Sequence, residues 1–321
     1  MFRTAECQNN SLQFLKVYGK IQQRENLTFL LDTRENLKNE NESGILKMKM
    51  LLKDGKTKVL TLSYDDGVVQ DIRLIEIMDK YGLKGTFNIS SGLYLPEDAV
   101  RERFWGRMKL SEAKKLYLNS GHEVAVHGYT HPFLDRVDTA EMIYEVTEDR
   151  KALERDYGRI IRGMAYSQGA YNDAVLDVLE KCQIAYARTV KSTLNFKFPE
   201  NWLTLHPTCH HKYDGLSELI KRFVEIPNRH NNAEMFYLWG HSYEFDNDDN
   251  WDVFENFAKI AGGHDHIWYA TNIEIYDYVK AYERLEKSFD KKIIHNPSAT
   301  DVWFDIRGEV YCIKGGETLS L

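Results

Sequence analysis

From residue 58 onward, short runs of β-branched and aromatic residues alternate with stretches in which apolar residues recur every three or four positions. The first pattern is typical of buried strands and the second of amphipathic helices. Several helical stretches follow Ser, Asp or Asn and stop at Gly, the residues preferred at helix ends. Strands are predicted at 59–64, 85–89, 123–126, 161–165, 184–188, 202–205, 235–239 and 267–270. Helices are predicted at 70–81, 111–119, 138–157, 173–181, 216–224, 251–261 and 273–287.

Repeated strand-then-helix units predict an α/β fold with a parallel sheet, because parallel neighbours are joined by a crossover connection. Seven to eight such units within about 230 residues favour a distorted or incomplete (β/α) barrel. An open doubly wound sheet is the alternative. No glycine-rich dinucleotide fingerprint follows the first predicted strand, which weakens that alternative.

The two ends of the chain differ from this pattern. Residues 1–47 are polar and carry only one short apolar cluster, at 27–31, so we predict a loosely ordered N-terminal extension. The predicted barrel occupies 48–289. Residues 290–321 contain two short strand patterns around Arg307 and Gly308 and predict a small C-terminal β appendage.

Composition excludes several classes of protein. With 43% hydrophobic and 28% charged residues the chain is typical of soluble globular proteins, and no run of about 18 apolar residues could span a bilayer. The start lacks the features of a secretory signal, so a cytoplasmic location is expected. A net charge of -7 argues against a nucleic-acid partner. The four cysteines are far apart in sequence, which argues against a disulfide framework and predicts reduced thiols.

Residues able to bind metal or transfer protons stand directly after several predicted strands. Asp65 and Asp66 follow the first strand, His127 and His131 the third, and His241 the seventh. In (β/α) barrels the reacting groups lie at the carboxyl ends of the strands. These side chains are therefore expected to meet at one rim.

Two histidines four residues apart can present two nitrogens to one ion, and a carboxylate from another strand completes a His-His-carboxylate set. Such a set leaves positions open for water and substrate. Taken alone, His127 and His131 would more often be hydrogen-bonding loop residues, and Asp65 and Asp66 a turn that caps the next helix. Their combination at matching strand ends favours a catalytic site for one divalent metal ion, with Zn²⁺ the first candidate.

Two motifs resemble those of the polysaccharide deacetylases with a NodB-like domain, also called carbohydrate esterase family four. Residues 61–67, TLSYDDG, are similar to the family's first motif, and residues 127–132, HGYTHP, to its second. The resemblance covers roughly 59–278 and includes GTF at 85–87. It implies a distorted (β/α) barrel and metal-dependent removal of acetyl groups from N- or O-acetylated sugars. The partner it implies is an acetylated sugar or oligosaccharide.

The first two motifs imply particular roles for their residues. Asp65 corresponds to the catalytic base and Asp66 to a metal ligand. The other two ligands correspond to His127 and His131. In the implied reaction the metal lowers the pKa of a water molecule and polarises the acetyl carbonyl, while Asp65 accepts the proton of the water.

Later motifs imply the remaining groups. The fifth, a hydrophobic strand ending in His, is met by 236–241, which makes His241 the candidate acid for the departing sugar atom. In the third, the backbone N–H near Gln168 is a candidate second donor to the oxyanion. The third motif also departs from the family. Ala165 replaces an Arg that supports the base, and Ser167 replaces a Pro.

Two supporting groups therefore have no direct counterpart in this sequence. Arg188, at the end of the fifth predicted strand, is a candidate replacement for the missing Arg, although an exposed Arg paired with a loop carboxylate is an equally good interpretation. The fourth motif, an Asp-Trp element that orients the catalytic histidine, has no counterpart in 187–192. The residue that orients His241 is left unassigned.

Further residues are candidates for contact with the sugar. Tyr129 and Trp239 could stack on a sugar ring, and ordinary core packing is the alternative for both. His206 follows the sixth predicted strand and begins the segment HPTCHH at 206–211. We favour a substrate-facing loop there over a second metal site, because no further ligand stands at a familiar spacing.

Two other functions remain open. A metal amidohydrolase acting on a small non-sugar amide would use the same constellation, and fold alone does not separate the two. A carbohydrate-binding relative with impaired catalysis is favoured by the changes at Ala165 and Ser167. Retention of both Asp65 and His241 speaks against it, because a binding protein needs neither a base nor an acid.

Overall fold

The structure, a computed structural model, describes residues 47–100, 106–228 and 232–321. The predicted N-terminal extension lies outside these residues except for Lys47. The strands in chain order are β1 (Met48–Met50), β2 (Lys58–Asp65), β3 (Gly85–Ile89), β4 (Glu123–Val126), β5 (Gly163–Ala165), β6 (Tyr186–Arg188), β7 (Cys209–His210), β8 (Glu234–Gly240), β9 (Ile267–Tyr269), β10 (Glu286–Lys287), β11 (Ile293–His295), β12 (Val302–Ile306), β13 (Glu309–Ile313) and β14 (Thr318–Ser320).

The helices follow the predicted ones closely, with bounds that differ by a few residues. For example, the helix Thr139–Tyr157 begins after Asp138, whose side chain accepts a hydrogen bond from the backbone N–H of Glu141. It ends at Gly158, which has a φ of 63°. The helices are α1 (Asp71–Lys80), α2 (Leu110–Tyr117), α3 (Thr139–Tyr157), α4 (Asp173–Lys181), α5 (Leu216–Glu225), α6 (Tyr243–Asn247), α7 (Trp251–Ala261) and α8 (Asn272–Glu283).

The main sheet is parallel and curled, with β2 at its centre. Every residue of β2 is buried, and its neighbours are β3 on one side and β8 on the other. The strand order is β6-β5-β4-β3-β2-β8-β7, and β9 pairs with the first residues of β2. Helices cover the outer face, as expected for repeated crossover units. The predicted distorted or incomplete (β/α) barrel is confirmed.

The strand predicted at 202–205 is wrong. Trp202–Thr204 forms a 3₁₀ helix, which begins where the Asn201 side chain accepts a hydrogen bond from the backbone N–H of Leu203. Leu205 alone pairs with the sheet, through a bridge to Arg188 of β6. The chain then continues into β7, which pairs with β8. The segment 205–210 therefore connects the two sides of the sheet, β6 and β8.

Two small antiparallel sheets form the C-terminal β structure. One has the order β1-β12-β13 and contains the predicted hairpin, and the other has the order β10-β11-β14. Their buried side chains, among them Val302 and Phe304, pack with Ala281 of α8. The strands β1 and β10 belong to these two sheets but precede residue 290. The domain boundaries 48–289 and 290–321 therefore stay a prediction. Within the described ranges, no helix has the length and apolar character needed to cross a bilayer.

Candidate functional site

The carboxyl ends of four parallel strands meet at one rim of the barrel. Asp65 is the last residue of β2, and Asp66 follows it. His127 comes directly after β4, Arg188 ends β6, and His241 comes directly after β8. The sequence predicted this convergence, with a place at the site as one of two interpretations of Arg188. It follows from the parallel order of the strands.

One group at this rim has the arrangement of a metal site. The ligand atoms of Asp66, His127 and His131 all lie within 4.8 Å of one another. The Nε2 atoms of the two histidines are 3.1 Å apart, and Nε2 of His131 is 3.7 Å from Oδ1 of Asp66. Ligands bonded to one zinc ion at about 2.0–2.2 Å are separated by about 3–3.5 Å, so the spacing fits a shared ion.

The hydrogen bonds of the outer ring nitrogens also fit metal binding. Nδ1 of His127 is 2.9 Å from the backbone oxygen of Ala165, which only accepts, so Nδ1 carries the proton and Nε2 keeps its lone pair. Nδ1 of His131 is 3.2 Å from the side-chain amide of Gln168. With its oxygen turned to this ring, Gln168 would fix the same tautomer on His131.

Both imidazoles are neutral at pH 7, as metal binding requires. Burial lowers the pKa of His127, although the nearby carboxylates Asp65 and Asp66 partly oppose this effect. Burial, together with neighbouring His127, lowers the pKa of His131 to about 4. A cation can therefore bind at neutral pH without first displacing a proton from either ring.

Helix α3 holds the loop that carries the two histidines. Glu145 accepts hydrogen bonds from the backbone N–H and the hydroxyl of Thr130, at 2.7 and 2.6 Å. Asp149, one turn further on, accepts from the backbone N–H of His127 at 2.9 Å and from Ser91. Both carboxylates are buried. These hydrogen bonds with α3 thus hold the backbone of His127 and of Thr130 in place.

Three of the predicted site residues have backbone conformations that side-chain-bearing residues seldom adopt. Asp66, His131 and Gln168 have φ values of 84°, 63° and 56°. Such conformations cost on the order of 1–3 kcal/mol each and cluster at functional sites. At Asp66 the cost is offset in part by Arg107, which donates to the backbone oxygen and to Oδ1 at 2.9 and 3.0 Å.

Asp65 lies beneath this group and is paired with Arg188. Both oxygens of Asp65 accept from Nη2 of Arg188, and Oδ1 also accepts from Asn88 at 2.8 Å. Burial alone would raise the pKa of Asp65, but Arg188, together with His127 and His241, outweighs burial and holds the pKa below its ordinary value. Arg188 is fully buried, so the interpretation as an exposed loop pair does not apply.

His241 is oriented by Glu244, a residue that the sequence did not reveal. Nδ1 of His241 is 3.1 Å from Oε2 of Glu244, and its Nε2 is 3.8 Å from Oδ2 of Asp65. Burial would lower the pKa of His241, but Glu244 and Asp65 raise it above the ordinary value. A carboxylate three residues beyond the histidine is the one signal in the sequence that could have identified this partner.

The residues predicted to contact sugar occupy different positions around the rim. Gln168 is exposed and Tyr129 partly exposed, beside the His127 loop. Trp239 is only 8% exposed, and its ring lies 4.4 Å from the guanidinium carbon of Arg188. Nδ1 of His206 is 2.6 Å from the hydroxyl of Thr189. The proximity of Gln168 and Tyr129 to the metal-binding group is compatible with sugar contact, whereas Trp239 presents little free surface.

Comparisons with known proteins agree with the motifs. The family "Polysaccharide deacetylase" matches residues 52–187. The Bacillus subtilis (strain 168) protein YlxY, described as uncharacterized, is 22% identical over 127 residues. That match covers 40% of this chain and 36% of YlxY, so the chain spans little more than a third of that relative.

Two solved structures are similar at low sequence identity, and the first of them shares the fold. A Mycobacterium smegmatis protein assigned to the polysaccharide deacetylases is 17% identical, with a TM-score of 0.51, and the match covers 74% of this chain and 96% of that one. A family 4 carbohydrate esterase from Streptomyces lividans, in complex with acetate, is 15% identical with a TM-score of 0.45, over 67% of this chain and 93% of that one. Residues 52–187 of this chain thus match the polysaccharide deacetylase family, the same family that its motifs resemble.

Proposed function

We propose that the protein is a metal-dependent hydrolase that removes N- or O-linked acetyl groups from a sugar or oligosaccharide. One observation carries the proposal. The group formed by Asp66, His127 and His131 lies next to an ionised carboxylate, Asp65, whose Oδ2 is 3.8 Å from Nε2 of both His127 and His241. A base and an acid thus stand beside a candidate metal position.

The donor set supports a divalent metal. Two imidazoles and one carboxylate suit Zn²⁺ and leave coordination positions free. When bound, the ion would supply Lewis-acid chemistry, which lowers the pKa of water and polarises an acetyl carbonyl. Zinc is the ion we propose.

The chain's own residues would carry the proton transfers. Asp65, kept ionised by Arg188, would accept the proton of the attacking water. The backbone N–H near Gln168 would donate to the oxyanion that forms at the acetyl carbon. His241, which Glu244 holds in place, would give a proton to the departing nitrogen or oxygen of the sugar.

The replacement of the family's usual Arg by Ala165 does not leave the base without a cation. Ala165 and Arg188 are paired residues on neighbouring strands, so the guanidinium reaches Asp65 from the adjacent strand. This arrangement favours a working enzyme over a relative that has lost catalysis.

Release of acetate tests the proposal. The purified protein would be incubated with acetylated oligosaccharides and with small non-sugar acetamides, before chelation, after chelation, and after addition of Zn²⁺. We expect acetate from the sugars, loss of release with chelator and recovery with zinc. Release from the small amides alone would favour a general amidohydrolase. No release from any substrate with zinc present would refute the hydrolase.

A further inference from the structure

A second cluster of potential metal ligands lies outside the group of Asp66, His127 and His131. It consists of His210 at the end of β7, His211 directly after it, and Glu244 in α6, and is called the second cluster below. Their ligand atoms all lie within 4.8 Å of one another. We propose that the second cluster binds a second divalent cation of the zinc class, with His241 remaining outside its ligand set.

The distances fit one ion at the centre of the second cluster. Nε2 of His210 and Nε2 of His211 are each 3.2 Å from Oε2 of Glu244, and Nδ1 of His241 is 3.1 Å from the same oxygen. A tetrahedral zinc ion with bonds of about 2.0–2.1 Å holds its ligand atoms about 3.3 Å apart.

Hydrogen bonding alone accounts poorly for the arrangement. A carboxylate oxygen offers about two lone pairs, whereas three ring nitrogens crowd Oε2 of Glu244. His211 is 2% exposed, and neither of its ring nitrogens makes a hydrogen bond of acceptable geometry within the described structure. A buried polar atom left in this state is costly, and a cation would satisfy Nε2, one of these two nitrogens.

The surroundings of His211 hold its ring in one orientation. Gly240 provides the space, because a Cβ there would lie 2.1 Å from Nδ1 of His211. The ring packs on Phe245, with centroids 4.2 Å apart, and stacks on Tyr64 at 5.8 Å. Apolar packing of this kind fixes a metal ligand before the ion arrives.

The nearest lysine contacts the other oxygen of Glu244, while Oε2 also accepts a hydrogen bond from the backbone N–H of His241 at 3.2 Å. Nζ of Lys212 is 3.1 Å from Oε1 and 2.7 Å from Asp248, so this cation is bound away from Oε2. Nδ1 of His210 accepts from the backbone N–H of Lys212 at 3.1 Å, an exposed contact that would pass to solvent when Nε2 binds a metal. A cleft of about 510 Å³, lined in part by His211 and Lys212, gives access from solvent.

Metal counting tests the second cluster separately from the first group. The full chain would be stripped with a chelator, dialysed against Zn²⁺ and analysed for zinc per chain. Besides the wild type, the variants are His131→Ala, His210→Ala, the double variant and Glu244→Gln. His266→Ala is the matched control, because His266 is an exposed histidine in neither group. Far-UV circular dichroism checks each fold, and Glu244→Gln replaces His210→Ala if the latter does not fold.

We expect two zinc ions per chain in the wild type and in His266→Ala, one in each of the single variants, and none in the double variant. Cobalt-loaded His131→Ala should also show the visible absorption of a tetrahedral site, lost in the double variant. One ion in the wild type that persists in His210→Ala and Glu244→Gln, but not in His131→Ala, would overturn the proposal. One ion that is lost in His210→Ala and kept in His131→Ala would support the second cluster and refute the first group as a zinc site.

Discussion

Replacing Arg188 by Met should destabilise the protein strongly, because it leaves Asp65 as a buried charge without its partner. The side chains of Arg188 and Asp65 are 0% and 3% exposed, and the guanidinium also lies over Trp239. Removing one member of such a pair costs about 3–5 kcal/mol, since the remaining charge is not solvated. Met fills much of the space of the Arg stem, so the loss measures chiefly the missing charge.

A double-mutant cycle separates this charge effect from changes in packing. Asp65→Asn alone should also be costly, because it leaves Arg188 unpaired. Asp65→Asn combined with Arg188→Met leaves no charge, so its loss should be smaller than the sum of the single losses by about 3 kcal/mol or more. Urea unfolding of the metal-free protein, followed by tryptophan fluorescence at pH 8, gives the free energies of unfolding.

The matched control is Arg162→Met, which breaks the pair between Arg162 and Asp277. These side chains are 35% and 49% exposed, so we expect a loss of about 1 kcal/mol or less. A loss at Arg188→Met as small as that of the control, or strictly additive losses in the cycle, would refute the assignment of Arg188 as the cation that compensates Asp65.

Three further outcomes are expected. Asp65→Asn should keep bound zinc but lose turnover by about 100-fold or more, because an amide does not accept the proton; loss of the metal instead would exchange the roles of Asp65 and Asp66. His241→Ala should lower turnover by about 100-fold on a sugar acetamide and far less on nitrophenyl acetate, whose leaving group needs no proton; equal losses would remove His241 from the acid role. Burial raises the pKa of Asp71 to about 7, so the folded state holds this proton more tightly and stability falls as pH rises towards 7. The free energy of unfolding of Asp71→Asn, measured relative to wild type, should therefore rise by about 3 kcal/mol between pH 5 and pH 8. A difference in urea unfolding that does not change with pH would contradict this.

The barrel and the rim that carries the candidate site could be predicted from the sequence because each depends on local patterns. The alternation of β2, α1 and β3 is visible in the periodicity of the residues, and the parallel order then brings Asp66 and His127 to one edge. The exception is 202–205. Its residues have the pattern of a strand, but Asn201 caps a 3₁₀ helix there and only Leu205 pairs with the sheet.

The supporting residues depend on contacts between distant parts of the chain, which periodicity does not encode. Arg188 reaches Asp65 across 123 positions of sequence, and its burial follows from the closure of the sheet. Glu244 is close to His241 in sequence, but its meeting with His210 and His211 requires β7 to lie beside β8. The local pattern at 206–211 therefore favours a substrate loop, whereas in the structure His211 is buried.

Anomalous X-ray diffraction at the zinc edge, from crystals of the zinc-loaded protein that releases acetate, would locate the metal ion. We predict an anomalous peak about 2.0–2.2 Å from Nε2 of His127, Nε2 of His131 and a carboxylate oxygen of Asp66. The absence of a peak at these three residues, in a preparation that loses acetate release with chelator, would contradict their assignment as the metal ligands.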